Sequence, residues 1–154
     1  MAFCKPENLY TREKLYASLD SNKVELKRYQ VSQEDNRYKQ VMASNDLEMM
    51  KMFIQYYPSS PYVSNVQSKI KVLEDYKDFK DARNTNTFQS YLGYMTAHID
   101  GHYLKEAETG IFELVRTSNR LRDYEIYLKK FPDGQYKDDA CRALHELNEA
   151  GGGY

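Results

Sequence analysis

The chain has 154 residues, with 22 Lys and Arg against 23 Asp and Glu, so its formal net charge is −1. This length fits one domain with its own core, and the near balance of charge excludes a broad field for nucleic acid or an anionic membrane. No apolar run approaches the roughly 18 residues of a membrane span, so the sequence predicts a soluble chain without a span.

The first predicted element is an amphipathic helix over residues 6–20, which opens with a proline and an acid. Residues 24–26 alternate like a strand, but a lone strand would have no partner in this chain. We therefore expect a helix or an extended linker there. A second helix is predicted over residues 32–43, with its apolar side chains turned inward.

Three copies of one pattern follow, beginning at Asn45, Asn86 and Asn119. The separations between these starts, 41 and then 33 in sequence number, indicate stacked supersecondary units. In the first helix of each copy, apolar residues recur at offsets 0, 3, 6, 7 and 10, which trace one helical face. The matching positions are Leu47/Phe88/Leu121, Met50/Tyr91/Tyr124, Phe53/Tyr94/Tyr127, Ile54/Met95/Leu128 and Tyr57/His98/Phe131.

A short turn and a second helix complete each copy. The turns are Pro58-Ser59-Ser60-Pro61, Ile99-Asp100-Gly101-His102 and Pro132-Asp133-Gly134-Gln135. The second helices match at Tyr62/Tyr103/Tyr136, Val66/Ala107/Ala140, Ile70/Ile111/Leu144 and Leu73/Leu114/Leu147. An extra helix over residues 76–83 explains the longer spacing before copy two, so about seven to nine helices are expected in all.

The start of each copy carries a helix-capping signal. Asn45 with Glu48 and Asn86 with Gln89 fit the capping box, in which two side chains satisfy each other's free backbone N–H groups. Asn119 lacks the reciprocal partner but still predicts an N-cap.

Copies one and three share a motif at the end of the first helix: Phe53-x-x-x-Tyr57-Pro58-x-Ser60-x-Tyr62 and Tyr127-x-x-x-Phe131-Pro132-x-Gly134-x-Tyr136. This motif resembles the tetratricopeptide-type repeats of bacterial proteins. It is similar to repeats in the outer-membrane-assembly lipoprotein and Tol-Pal-associated coordinator families. The resemblance covers residues 35–149 and implies protein binding, with no catalytic residues.

Together these patterns predict an all-α fold, a short tetratricopeptide-like α-solenoid of stacked antiparallel hairpins. We expect residues 1–31 to form an N-terminal helix and linker, residues 32–149 the three-copy repeat domain, and residues 150–154 a flexible Gly-rich tail.

Copy one has a second apolar stripe on its first helix, formed by Met49, Met52 and Tyr56. The matching residues are small in copy two and mostly polar in copy three: Ser90/Gly93/Ala97 and Asp123/Ile126/Lys130. Either the N-terminal helices cover the stripe, or it is a Met-rich partner-binding face. We take Met49, Met52 and Tyr56 as the candidate partner-binding residues.

The sequence predicts no catalytic, cofactor or metal site. His98 and His102 flank Asp100, but His98 replaces a core aromatic and His102 lies in a turn, so they need not converge on a metal. Cys4 and Cys141 are interpreted as free thiols, which favours a reducing compartment such as the cytoplasm.

The predicted function is a non-catalytic protein–protein interaction module or a subunit of a larger assembly. The alternatives are an accessory domain that positions the substrate of a partner enzyme, and a structural component of a homo-oligomer. The expected partner is a protein, with no nucleic acid.

Overall fold

The computed structural model describes residues 7–151, with side chains from residue 16 onward. Over this range the chain is all-helical, as predicted, and its seven helices follow one another without a strand. They are α1 (Glu7–Ala43), α2 (Leu47–Tyr56), α3 (Val63–Thr85), α4 (Phe88–Ala97), α5 (Leu104–Ser118), α6 (Leu121–Lys130) and α7 (Lys137–Gly151).

Two helices are longer than expected. α1 has 37 residues and runs through the predicted linker at 24–26, and α3 has 23 residues and includes the segment 76–83 that was expected as a separate helix. Neither helix contains Pro or Gly, the two residues that most strongly interrupt a helix. α7 extends to Gly151, which belongs to the predicted tail, and residues 152–154 lie outside the described range.

The chain divides into two compact units, and the boundary between Ile70 and Lys71 falls inside α3. The core of the first unit contains Val41, Met50, Phe53 and Val66. The core of the second unit is a larger cluster: Phe79, Ala82, Tyr91, Tyr94, Ala107, Ile111, Phe112, Val115, Tyr124, Tyr127 and Ala140.

The apolar face predicted for the first helix of each copy is the face that α2, α4 and α6 bury. The matched positions Met50/Tyr91/Tyr124 and Phe53/Tyr94/Tyr127 are all buried. Of the residues predicted for this face, Leu121 in the first turn of α6 is the exception, because it is 37% exposed.

A pair of parallel aromatic rings recurs in each copy. One ring comes from the helix that precedes the copy, and the other is the tyrosine that closes the turn. The pairs are Tyr38–Tyr62 (4.1 Å between ring centres, 8° between planes), Phe79–Tyr103 (4.7 Å, 7°) and Phe112–Tyr136 (4.5 Å, 1°). In each pair the two residues are 24 positions apart. The same stacking of two rings therefore occurs three times at one separation along the chain.

The predicted asparagine N-caps are wrong by one residue. Asn86 and Asn119 have φ of 49°, the left-handed conformation that ends the preceding helix. Asn tolerates this conformation because its short polar side chain bonds locally. The helix starts are capped by the next residue in two copies: Asp46 caps α2, and Thr87 forms a capping box with Ser90 on α4. Arg120 precedes α6 without a side-chain cap.

Replacing Thr87 with alanine should lower the free energy of unfolding by about 1 kcal/mol, because the Ser90 N–H loses the hydroxyl that accepts it. Gln89→Ala, which removes the residue expected to complete the box with Asn86, should have almost no effect. Urea titrations of both variants measure the difference, and a larger loss in the Gln89 variant would contradict this assignment of the caps.

Candidate functional site

The predicted partner-binding stripe lies on the side of α2 that faces away from the core. Met49 is half-buried, while Met52 is 42% and Tyr56 69% exposed. The intervening Met50 and Phe53 are buried, so one short helix carries a core face and an apolar outer face. Met52 and Tyr56 thus keep a large part of their surface exposed, and binding of a partner there stays a prediction.

The matching surface differs in the other two copies. On α4, the small residues Ser90, Gly93 and Ala97 border a cavity of about 300 Å³, and a methyl group added to Gly93 would meet no atom within 4 Å. On α6, Ile126 and Asp123 border a cavity of about 290 Å³ whose other walls are Phe88, Leu114 and Val115. Of the three helices α2, α4 and α6, only α2 therefore carries the Met-rich stripe.

Residues 16–33 of α1 form a second exposed apolar region. Every residue from 16 to 33 is exposed. Six of them are large and apolar: Tyr16, Leu19, Val24, Leu26, Tyr29 and Val31.

A buried carboxylate joins α3 to α4 and to the turn that follows α4. Asp75 on α3 accepts a hydrogen bond from the Tyr94 hydroxyl (2.6 Å, to Oδ1) and another from the His102 backbone N–H (2.8 Å, to Oδ2). Tyr94 belongs to α4 and His102 to the turn after it. We call this arrangement a carboxylate clamp, because one side chain holds both the helix and its turn.

A second carboxylate clamp has the same layout one repeat later. Glu108 on α5 accepts from the Tyr127 hydroxyl at 2.7 Å and from the Gln135 backbone N–H at 2.8 Å, both through Oε1. In both clamps the carboxylate precedes the tyrosine by 19 positions and the amide by 27.

Electrostatics follow from these contacts. Burial alone would raise the pKa of Asp75, but the hydrogen bonds from Tyr94 and His102 outweigh burial and hold this pKa below its ordinary value. Burial, together with the hydrogen bond to the carboxylate, raises the pKa of Tyr94 and of Tyr127. Each clamp therefore pairs a carboxylate acceptor with a neutral phenol donor.

Both histidines that the sequence singled out lie at the first clamp rather than around Asp100. His102 Nδ1 is 3.0 Å from Asp75 Oδ2, and His98 Nε2 is 2.8 Å from Asp78 Oδ2. His98 Nδ1 also lies 3.6 Å from Asp75 Oδ1, so both histidines border the clamp carboxylate. Among the described residues, no group of three or more His, Cys, Asp or Glu could hold a metal ion.

Acid should weaken the first clamp. Because the pKa of Asp75 is lower in the folded chain than its reference value of 3.8, its contribution to stability is complete above that value and is lost as the pH falls through the folded pKa. We expect stability to fall less steeply between pH 5 and about pH 2 in Asp75→Asn than in the wild type. Urea titrations across this range measure it, with the exposed Asp100→Asn as control; identical slopes for all three proteins would contradict the prediction.

The clamps were not predicted from the sequence. Asp75 and Glu108 are charged residues among many on α3 and α5, and nothing in their immediate neighbours marks them as buried. The usable signal was an acid that recurs at one fixed separation before the core tyrosine in two copies.

Comparison of the chain with protein-family models, with curated proteins and with solved structures finds no match in any of the three. Within the described range, no helix is both long and apolar enough to cross a membrane. Cys141 is a free, exposed thiol, and Cys4 lies outside the described residues.

Proposed function

We propose that the chain is a non-catalytic protein–protein interaction module, built as a tetratricopeptide-like array of helical hairpins. The observation that carries this proposal is the outer face of α2, where Met52 and Tyr56 are exposed on the side opposite the buried Met50 and Phe53. Exposed apolar residues clustered on one helix are typical of protein-binding surfaces.

The array assignment is supported by the three recurring aromatic pairs, whose ring planes lie within 8° of parallel. Such repetition is expected when one supersecondary unit is stacked several times. The two carboxylate clamps add fixed polar contacts between helices. Both clamps lie in the second unit, where they join α3 to α4 and α5 to α6.

The binding mechanism follows from the side chains of the stripe. Methionine is unbranched and polarisable, so Met49 and Met52 can adapt to a partner's surface. Tyr56 supplies a stiff ring with a polar tip, which suits a contact at the rim of an interface. The matching occupant is an amphipathic helix of another protein that presents apolar residues at helical spacing.

The test is to purify a tagged chain from the cells that produce it, identify what accompanies it, and measure the affinity with the purified partner. We expect the double variant Met52→Glu/Tyr56→Glu to fold and to lose the partner by more than about tenfold in affinity. Gln55→Glu, on the same helix but outside the stripe, should bind like the wild type. A partner that binds the double variant normally would exclude the stripe as its site.

A second candidate function is a structural component of a homo-oligomer. The exposed apolar residues of α1 between 16 and 33 favour it, because an isolated helical segment is marginally stable in water and gains from being covered. Sedimentation analysis distinguishes the two candidates: a monomer at micromolar concentration supports the interaction module, and a stable oligomer of the chain alone supports the structural role.

A further inference from the structure

The first hairpin carries a carboxylate at the clamp position but neither of its donors. Glu34 precedes Phe53 and Pro61 by the same separations, 19 and 27, that both carboxylate clamps show. A phenyl ring has no hydroxyl, and a proline has no backbone N–H. Among the described residues, Glu34 Oε1 is buried and has no hydrogen-bond partner.

A third replacement at this hairpin fits the other two. Ser60 occupies the position of Gly101 and Gly134, where an added Cβ would lie 2.6 Å from the Tyr94 hydroxyl and 3.0 Å from the Tyr127 hydroxyl. Phe53 has no hydroxyl that the Ser60 Cβ could meet. Its own hydroxyl accepts the Tyr62 backbone N–H at 3.1 Å. In the second copy, the Tyr94 hydroxyl accepts the matching N–H of Tyr103 at 3.2 Å. The first hairpin therefore differs from both clamps at three matched positions, which are Phe53, Ser60 and Pro61.

We propose that the first hairpin is a built-in opening point: α2 separates from α1 by local unfolding more readily than α4 from α3 or α6 from α5. Two hydrogen bonds to a carboxylate are missing there, and opening lets water reach the unpaired Glu34 oxygen. The Tyr62 hydroxyl does donate to Asp35 at 2.7 Å, but this bond ties α1 to the turn after α2 rather than to α2 itself.

The location of this opening point connects it to the candidate stripe. α2 carries Met52 and Tyr56 on its outer side and Phe53 on its inner side. Local opening would add the Phe53 and Tyr38 rings, whose centres are 6.2 Å apart, to the apolar surface already exposed. The proposal itself depends on the clamp geometry and not on the identity of a partner.

The test compares three matched backbone amides within the same chain. α2, α4 and α6 each have ten residues, and the N–H groups of Tyr57, His98 and Phe131 each donate to the carbonyl at the clamp-tyrosine position at 2.8–2.9 Å. In native-state hydrogen exchange of the full chain, corrected for intrinsic rates, we expect the Tyr57 amide to exchange about ten to a hundred times faster than the other two. Equal rates for the three amides would overturn the proposal.

Variants separate the missing clamp from simple fraying of a chain end. Phe53→Tyr/Ser60→Gly/Pro61→Gln restores all three clamp residues and should slow the Tyr57 amide about tenfold or more, without changing the Phe131 amide. Phe53→Tyr alone should give no slowing, because the new hydroxyl meets the Ser60 Cβ. A folded triple variant with an unchanged Tyr57 rate would overturn the proposal.

The reciprocal change guards against a triple variant that does not fold. Tyr127→Phe removes one donor from the clamp of Glu108 and should accelerate the Phe131 amide toward the Tyr57 rate, while the His98 amide keeps its own rate. An unaffected Phe131 amide in this variant would equally overturn the proposal.

Discussion

Glu108→Ala is expected to lower the free energy of unfolding by about 2–5 kcal/mol. The substitution removes the acceptor of two hydrogen bonds in one step. It leaves the Tyr127 hydroxyl and the Gln135 N–H without the partner that they have at 2.7 and 2.8 Å. A buried donor without an acceptor loses its hydration without compensation, which is the larger part of the expected cost.

Urea denaturation followed by circular dichroism measures this loss directly. Glu106→Ala is the matched control, because Glu106 lies on the same helix with its side chain exposed, and its replacement should change stability by less than about 0.5 kcal/mol. Similar small losses for both variants would show that the clamp contributes little to stability. Glu108→Gln keeps an acceptor oxygen without the charge, so an intermediate loss is expected for it.

Gly134→Ala is expected to destabilise the chain by about 1–3 kcal/mol, although alanine is usually favoured over glycine. Its Cβ would lie 2.3 Å from Glu108 Oε1, 2.8 Å from Phe131 Cβ and 3.0 Å from the Tyr127 hydroxyl. The backbone of Gly134 does not have a positive φ, so the requirement for glycine there is one of space. The new methyl group must displace the carboxylate from its donors.

The opposite sign is expected for Gly93→Ala, where an added methyl group has no atom within 4 Å. Gly93 lies inside α4, and alanine there should stabilise the chain by about 0.5–1 kcal/mol, because glycine loses more backbone entropy on folding. Thermal unfolding of the two variants side by side measures both signs. A stabilising Gly134→Ala would mean that the turn shifts away from Glu108 at no cost.

The parts of the fold that were predictable from the sequence share one property: they depend on the spacing of apolar side chains. Met50, Tyr91 and Tyr124 are buried because they lie on the apolar face of a short amphipathic helix, and this face is visible as a helical period in the sequence. The three turns were predicted because each contains proline or glycine between two helical patterns.

The parts that were missed depend on single atoms or on the absence of a signal. The continuity of α1 leaves no apolar pattern, since its residues 16–33 are all exposed, and the sequence shows only that neither Pro nor Gly interrupts the helix. Each clamp depends on a hydrogen bond between a carboxylate oxygen and a backbone amide 27 positions later. The turn brings these two groups together, and no spacing of apolar residues predicts the contact. The caps were misplaced by one residue because Asn is favoured both at the start of a helix and in the left-handed position that ends one.

The recurring separations of 19, 24 and 27 along the chain also bear on how quickly it reaches its native state. Each aromatic pair and each clamp closes a short loop, and the entropy lost in closing a loop grows only slowly with its length. Helical chains dominated by such near-neighbour contacts fold in microseconds to milliseconds. We therefore expect each hairpin to form through contacts between residues close in sequence, without contacts from distant parts of the chain.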